Sequence, residues 1–254
     1  MKRHFEIHPD YSALSSELLE VFAGFGSRGR QLQRSRNHVR ALHVEGGDIV
    51  VKSYERLTQA NRIIYSLFRK TKAQRAYENA LLLLGHGVAT PFPLAYADWF
   101  RGPILRKSFF VSRYEGHPSC RELFDRPLPE CRDALVQFGR FLYRLHRHGL
   151  YHGDLNLSNV LCSRDGENYI FWLIDNNRLR VRKHSKRRGL RNLRRIKLPL
   201  DKLAIVAMEY AAADRSDEYE TALGILWHRH IAQAFATIKR ALKKTFCGPK
   251  EKNN

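Results

Sequence analysis

The segment His152-Gly153-Asp154-Leu155-Asn156-Leu157-Ser158-Asn159, followed by two short apolar runs and then Asp175, constrains this chain more than any other feature. The runs VLCS and YIFWLID are joined by Arg164, Asp165, Gly166 and Glu167, residues that favour a reverse turn, so they predict a small hairpin. Asp154 and Asp175 then lie at either end of that hairpin. Two carboxylates and one neutral amide oxygen form a donor set that suits a hard cation such as Mg²⁺. Taken singly, each is an ordinary loop or strand-end residue. The spacing, with Asp175 sixteen residues after Asn159, and the apolar strands between them favour one shared site.

The chain changes character near Gly116. Val39 to Val44 and Ile49 to Tyr54 are β-branched runs around the turn residues Glu45, Gly46, Gly47 and Asp48, and they predict a hairpin with Lys52 inside an apolar strand. Thr71 to Leu84 is rich in helix formers, sets Glu78 in mid-helix and stops at Gly85 and Gly87. Pro91 and Pro93 break any continuation, and Ser108 to Gly116 reads as another buried strand running into a loop. Beyond it, Glu130 to His148 carries Ala134, Leu135, Phe138, Phe141, Leu142 and Leu145 on one stripe, and Asp201 to Ala213 and Glu218 to Lys244 are further helices. With 254 residues, 43% of them hydrophobic, the chain can bury a core. The expected fold class is α+β with two lobes: a small β-rich N-lobe over 1–112 and a helical C-lobe over 113–254.

Phosphoryl transfer needs an acceptor hydroxyl in line with the γ-phosphate, a carboxylate to take its proton, and Mg²⁺ to offset phosphate charge. The H-x-D-x₄-N string matches the kinase catalytic loop, with Gly153 where that loop has arginine. Asp154 is the candidate catalytic base, Asn159 and Asp175 are the candidate Mg²⁺ ligands, and ATP is the donor. Lys52 matches the strand lysine that grips the α- and β-phosphates, and Glu78 the helical glutamate that pairs with it, with Glu55 as a competing partner. No glycine-rich loop precedes Lys52. Arg36 and Asn37 stand near the expected turn and are the candidates for holding phosphate there. The expected hinge runs from Ser112 to Gly116, and Arg113 within it is placed among the nucleotide-binding residues.

Several segments together, SRNHVRAL, VVKSY, TKAQRAYENALLLLGHGVATPFPLAYAD, YHGDLNLSNVL and LIDNNRLR followed by RGLRNLRRI, resemble the lipopolysaccharide kinases over most of the chain. These are bacterial kinase-like proteins that phosphorylate inner-core sugars, including 3-deoxy-D-manno-octulosonic acid (Kdo) and heptose. The resemblance implies a protein-kinase-like fold, ATP and Mg²⁺, and an anionic glycolipid acceptor, with Kdo on a lipid A precursor favoured. Asp175 is followed by Asn176 and Asn177 instead of Phe and Gly, so a DFG-type switch is not expected. A small-molecule phosphotransferase of the aminoglycoside or choline kinase type and a non-catalytic pseudokinase stay as alternatives.

The formal charge of +20 points to a polyanionic partner. Eleven Lys or Arg and no acid lie between Arg178 and Lys197, and a second acid-free stretch holds Arg28, Arg30, Arg34, Arg36 and Arg40. Charge alone would fit RNA, but no RNP-type aromatic pattern, zinc finger or KH signature is present, so nucleic acid is not expected. Under the resemblance the basic run faces the anionic acceptor and the inner membrane. The start MKRHFEIHPD has no apolar segment behind it, and no later run approaches the ~18 apolar residues of a membrane span. A cytoplasmic protein, peripheral on the inner face of the inner membrane, is expected. Cys120, Cys131, Cys162 and Cys247 form no CxxC pair and read as reduced thiols.

Overall fold

The computed structural model describes residues 2–34, 37–54 and 70–246. Its first part is a six-stranded antiparallel sheet in the order β1-β5-β6-β4-β3-β2, formed by Lys2–Ile7 (β1), Arg30–Arg34 (β2), His38–Val44 (β3), Gly47–Ser53 (β4), Pro93–Arg101 (β5) and Ile104–Arg113 (β6). The expected β3–β4 hairpin is present with a tighter turn, because Val44 pairs with Gly47 and leaves only Glu45 and Gly46 between the strands. Helix α1 (Ser15–Ala23) packs Leu18, Val21 and Phe22 on one face of the sheet, against Ala95, Ala97, Trp99 and Phe109. Helix α2 (Lys72–Gly85) covers the other face, with Ala73 and Tyr77 against Tyr54 and Tyr96.

Strand β5 was not legible from the sequence. It is buried on both faces from Pro93 to Trp99, so it lacks the polar alternation of a half-exposed strand. Pro93 does not interrupt it, because a proline is tolerated as the first residue of a strand.

Asp98 is the polar exception in β5. Only 2% exposed, it accepts a 2.7 Å hydrogen bond at Oδ2 from Thr71 Oγ1, and Thr71 in turn caps α2 by accepting from Gln74 N at 3.1 Å. Burial pushes the Asp98 carboxyl up to about 6, with the Thr71 hydrogen bond and the nearby His4 working the other way. Below about pH 4 the folded and unfolded chains both hold this proton. Between about 4 and 6 the unfolded chain has released it and the folded chain has not, so stability falls as pH rises through that window. Asp98→Asn is therefore expected to stabilise the fold by roughly 2–3 kcal/mol at pH 7.5 and by nothing at pH 4. Urea titrations at the two pH values check this.

The second part is mainly helical. It comprises α3 (Cys120–Phe124), α4 (Leu128–Arg147), α5 (Lys186–Leu193), α6 (Leu200–Asp214) and α7 (Glu218–Phe246), with the hairpin β8 (Val160–Asp165) and β9 (Asn168–Leu173) and the short pair β7 (Leu150–His152) and β10 (Leu179–Val181). The expected stripe of α4 is buried at the centre of this core, with Phe138 and Phe141 against Phe171. Gly139 allows α6 to approach α4 closely, since a Cβ there would lie 2.7 Å from Glu209 Cβ and 2.8 Å from the Val206 carbonyl. Helix α5, inside the basic run, carried no helical expectation. Leu190, Asn192 and Leu193 point inward from it while its arginines face out. Among the described residues, no helix is long and apolar enough to cross a membrane.

Candidate active site

The site forms where β4, the loop after β7 and the end of β9 meet. β4 pairs with β3 on one side and β6 on the other, and it delivers Lys52 opposite Val39 and Phe110. Lys52 Nζ lies 2.6 Å from Asp175 Oδ1. Asp175 follows β9 in the left-handed conformation (φ 60°, ψ 45°), which Asp and Asn tolerate better than other side chains, and it opens a 3-10 turn over Asn176–Arg178. Burial raises the Asp175 pKa, but the charge and hydrogen bond of Lys52, with His152 and Arg178, outweigh that and hold the carboxyl below its ordinary range. It is therefore ionised at neutral pH.

Asp154 sits on the loop after β7, with backbone held on several sides. Asn159 Nδ2 donates to the Asp154 carbonyl at 2.9 Å, and Asn156 Nδ2 does so at 3.2 Å. His152, fully buried, joins this loop to the end of β9: its Nε2–H donates to the Ile174 carbonyl at 3.1 Å, and its Nδ1 accepts from Asp154 N–H at 3.3 Å. Burial lowers the pKa of this imidazole against the pull of Asp175 and Asp154, so it is a neutral link. Ile174 N–H donates to the Asn159 carbonyl at 3.0 Å and closes the ring of contacts. Arg178 Nη1 lies 3.6 Å from Asp154 Oδ2.

Gly153, which stands where a kinase loop has arginine, is required by this packing. Its N–H donates to the Arg178 carbonyl at 3.1 Å, and a Cβ on Gly153 would come within 2.3 Å of that oxygen.

Lys52, Asp154, Asn159 and Asp175 are thus brought together, and Glu78 is not. Glu78 takes Lys70 Nζ at 2.8 Å on both carboxylate oxygens and Gln74 Nε2 at 3.1 Å, so the expected Lys52–Glu78 pair is replaced by Lys52–Asp175. The helix face turned toward the site belongs to the next residue, Asn79, whose Nδ2 donates to the Asn176 carbonyl at 2.7 Å. Neighbouring helical residues differ by about 100° in direction, which is why the glutamate misses. Glu55 and Arg36 lie outside the described residues. Asn37, half-buried, immediately precedes β3 at the Lys52 end of the β3–β4 hairpin.

Arg113 is corrected as well. Its guanidinium lies over the Tyr11 ring, 5.6 Å from the centroid, and donates to Tyr11 Oη at 2.9 Å, while its N–H donates to the Phe92 carbonyl. That side chain secures the N-terminal segment and is not offered to a nucleotide.

Several residues escaped the sequence reading. Asn176 is buried and locked by Nδ2 bonds to Thr90 Oγ1 (2.8 Å) and the Leu173 carbonyl (3.3 Å), and Asn177 Nδ2 donates to Asp175 Oδ1. Of the two asparagines that replace Phe-Gly, Asn177 therefore holds the carboxylate by a hydrogen bond and Asn176 anchors the turn. Asn192 on α5 accepts from His146 Nε2 at 3.0 Å and donates to the His152 carbonyl at 2.9 Å, tying the basic segment to the catalytic loop. The one signal for it was an uncharged polar residue amid arginines.

Beside Gly153, Asn177 and Arg178 opens a cleft of about 1110 Å³. Nine of its sixteen lining residues are Lys or Arg and none is acidic, which favours anionic over cationic occupants. Lys72 lines it, its pKa lowered by burial and then by Arg178 and Arg75, and so do Arg188, Arg191, Arg194 and Arg195 from α5 and its C-terminal extension.

The donor set fits a magnesium ion held with nucleotide phosphates: one ionised carboxylate on Asp175, and the Oδ1 of Asn159, whose amide nitrogen is already committed to the backbone. Among the described residues there is no cluster of three or more His, Cys, Asp or Glu able to hold a metal on its own. Such a cluster is unnecessary where phosphates supply the remaining oxygens.

Residues 27–215 match the model of the lipopolysaccharide kinase (Kdo/WaaP) family. The 3-deoxy-D-manno-octulosonic acid kinase of Xylella fastidiosa (strain M23) is 30% identical over 192 residues, covering 70% of this chain and 75% of that protein. The protein of the same name from Stenotrophomonas maltophilia (strain R551-3) is 31% identical over 186 residues, covering 70% and 72%. Among solved structures, WaaP in complex with acyl carrier protein superposes with a TM-score of 0.62 at 18% identity, over 91% of this chain and 98% of that one, which shows the two-lobed kinase-like fold. On the extent of these matches, the chain belongs to the lipopolysaccharide kinase (Kdo/WaaP) family, and its chemistry is phosphate transfer from ATP to a sugar hydroxyl.

Proposed function

We propose that this chain transfers the γ-phosphate of ATP to a hydroxyl of Kdo on a lipid A precursor, working at the inner face of the inner membrane. The observation that carries the reading is that Lys52, Asp154, Asn159 and Asp175 converge beside a large cleft lined by cations and no carboxylate. A phosphorylated glycolipid bearing an acidic sugar meets that cleft with opposite charge. The Kdo assignment draws on the relatives named above.

In this reading Asp154 accepts the proton of the acceptor hydroxyl as its oxygen bonds to the γ-phosphorus and the bond to the ADP oxygen breaks. Lys52 grips the α- and β-phosphates, with Arg36 and Asn37 proposed as further phosphate-holding residues. Asp175 and Asn159 would hold Mg²⁺, which would offset the negative charge on the transferring group. Cations of the basic run near an anionic leaflet contribute about 1 kcal/mol each within a Debye length of ~8 Å, enough for peripheral attachment.

The test is transfer of labelled γ-phosphate from ATP to Kdo-lipid A by purified protein, with mass spectrometry of lipopolysaccharide from cells with and without the gene. A phosphate-sized difference on Kdo is expected. Transfer to heptose alone would overturn the acceptor, and no transfer to any core sugar would overturn the reading.

A further inference from the structure

Helix α7 is held by one face and bare on another. Thr221 and Ile225 are fully buried, Gly224 lies against Leu190 of α5, and Arg229 Nη2 donates to the Ile196 carbonyl at 2.6 Å. On the outer side, Tyr219, Leu223 and Trp227 follow one another at four-residue spacing and are 81%, 65% and 64% exposed. Phe235 and Ile238 continue the line at 68% and 55%. From Tyr219 to Ile238 this apolar edge is roughly 29 Å long at 1.5 Å per residue. A large exposed apolar stripe on a folded chain marks an interaction surface.

The charge around the stripe identifies the partner. Glu218 and Glu220 flank Tyr219, but no acid follows in the sequence from Thr221 to Phe246. Lys186 at the start of α5 bonds Glu220 at 3.1 Å, and burial together with the charges of Arg194, Arg187 and Arg191 lowers the pKa of His228, so α5 and its arginines run alongside α7. A second copy of a chain with formal charge +20 would bring like charge to this edge. An anionic bilayer brings the opposite charge and a flat apolar layer, and Tyr, Trp and Phe are residues suited to its interface.

We propose that α7 is an interfacial helix that lays the Tyr219–Ile238 stripe into an anionic lipid surface, with the arginines of α5 against the headgroups. This deepens the function proposed above and rests on it only for the acceptor. Arg191 and Arg194 line the cleft as well, so docking through α7 sets the cleft opening at the leaflet that carries a lipid-borne sugar.

The test uses the full chain with vesicles of phosphatidylethanolamine and phosphatidylglycerol, against vesicles of phosphatidylcholine. The wild type is expected to sediment with the anionic vesicles and to show blue-shifted tryptophan emission, since Trp227 is exposed in the free protein while Trp99 is buried and Trp172 is half-buried against His117. The double variant Leu223→Gln, Trp227→Gln is expected to bind at least about tenfold more weakly, because two large apolar side chains leave the interface. It should still match the wild type on acceptor dispersed in detergent micelles and fall behind on acceptor embedded in vesicles. The proposal is overturned if the wild type ignores anionic vesicles or the variant binds them equally well. It is also overturned if the emission shift arises without lipid, from self-association or from an acidic carrier protein. Absence of transfer in micelles by both proteins would reject the kinase reading instead, and the vesicle result would still decide this one.

Discussion

Asp154→Asn is expected to lower kcat by about 10²–10⁴, the range associated with loss of a general base, while ATP binds as in the wild type. Asn has nearly the same shape, and the Asp154 backbone is fixed independently of its side chain by Asn156, Asn159 and His152. What disappears is the proton acceptor. The Arg178 guanidinium loses a charge partner at 3.6 Å, but both side chains are substantially exposed, so the fold should be unaffected within about 1 kcal/mol. Steady-state kinetics with Kdo-lipid A, together with calorimetric titration of ATP, separate the two effects. Undiminished turnover would remove Asp154 from the chemistry. Weakened ATP binding in step with kcat would make it a structural residue of the nucleotide site.

The parts of this site that were legible in the sequence are those fixed by local rules. The H-x-D-x₄-N loop, the β8–β9 hairpin and the strand around Lys52 each follow from turn chemistry and apolar runs a few residues long. The missing parts depend on direction in space. Whether Glu78 or Asn79 faces the site is decided by how α2 rotates on the sheet, which helix propensity does not specify. Lys52 finds its counter-ion after a long gap in sequence, on the turn after β9, because the two parts of the chain close on one another there. Helix α5 gave no helical signal because its arginines outnumber Leu190, Asn192 and Leu193, the residues that attach it. β5 was hidden for the opposite reason, being buried on both sides and giving no alternation.

Asp175→Asn should be at least as damaging to turnover, on the order of a thousandfold or more, since several kcal/mol of charge stabilisation are removed and ~1.4 kcal/mol is a factor of ten. Unlike Asp154→Asn it also disturbs the fold. Lys52 is only 13% exposed, and its counter-ion at 2.6 Å would be replaced by a neutral amide. Breaking a buried pair from one side costs ~3–5 kcal/mol, and because 27% of the Asp175 side chain remains exposed, about 1–3 kcal/mol is expected here. The pH dependence has a definite sign. The folded-state pKa of Asp175 is depressed, so its contribution is complete above the unfolded value of about 4 and is lost as pH falls through the folded one. Urea titrations should therefore show the largest gap between wild type and Asp175→Asn near neutral pH, closing on strong acidification. Adding Lys52→Met removes the stranded charge and should recover most of that stability without recovering transfer. Recovery of neither would mean that Asp175 supports the fold through Asn177 and the turn rather than through Lys52. Recovery of both would mean that the carboxylate and the ammonium ion are dispensable for phosphate transfer, and the catalytic assignment of this pair would fall.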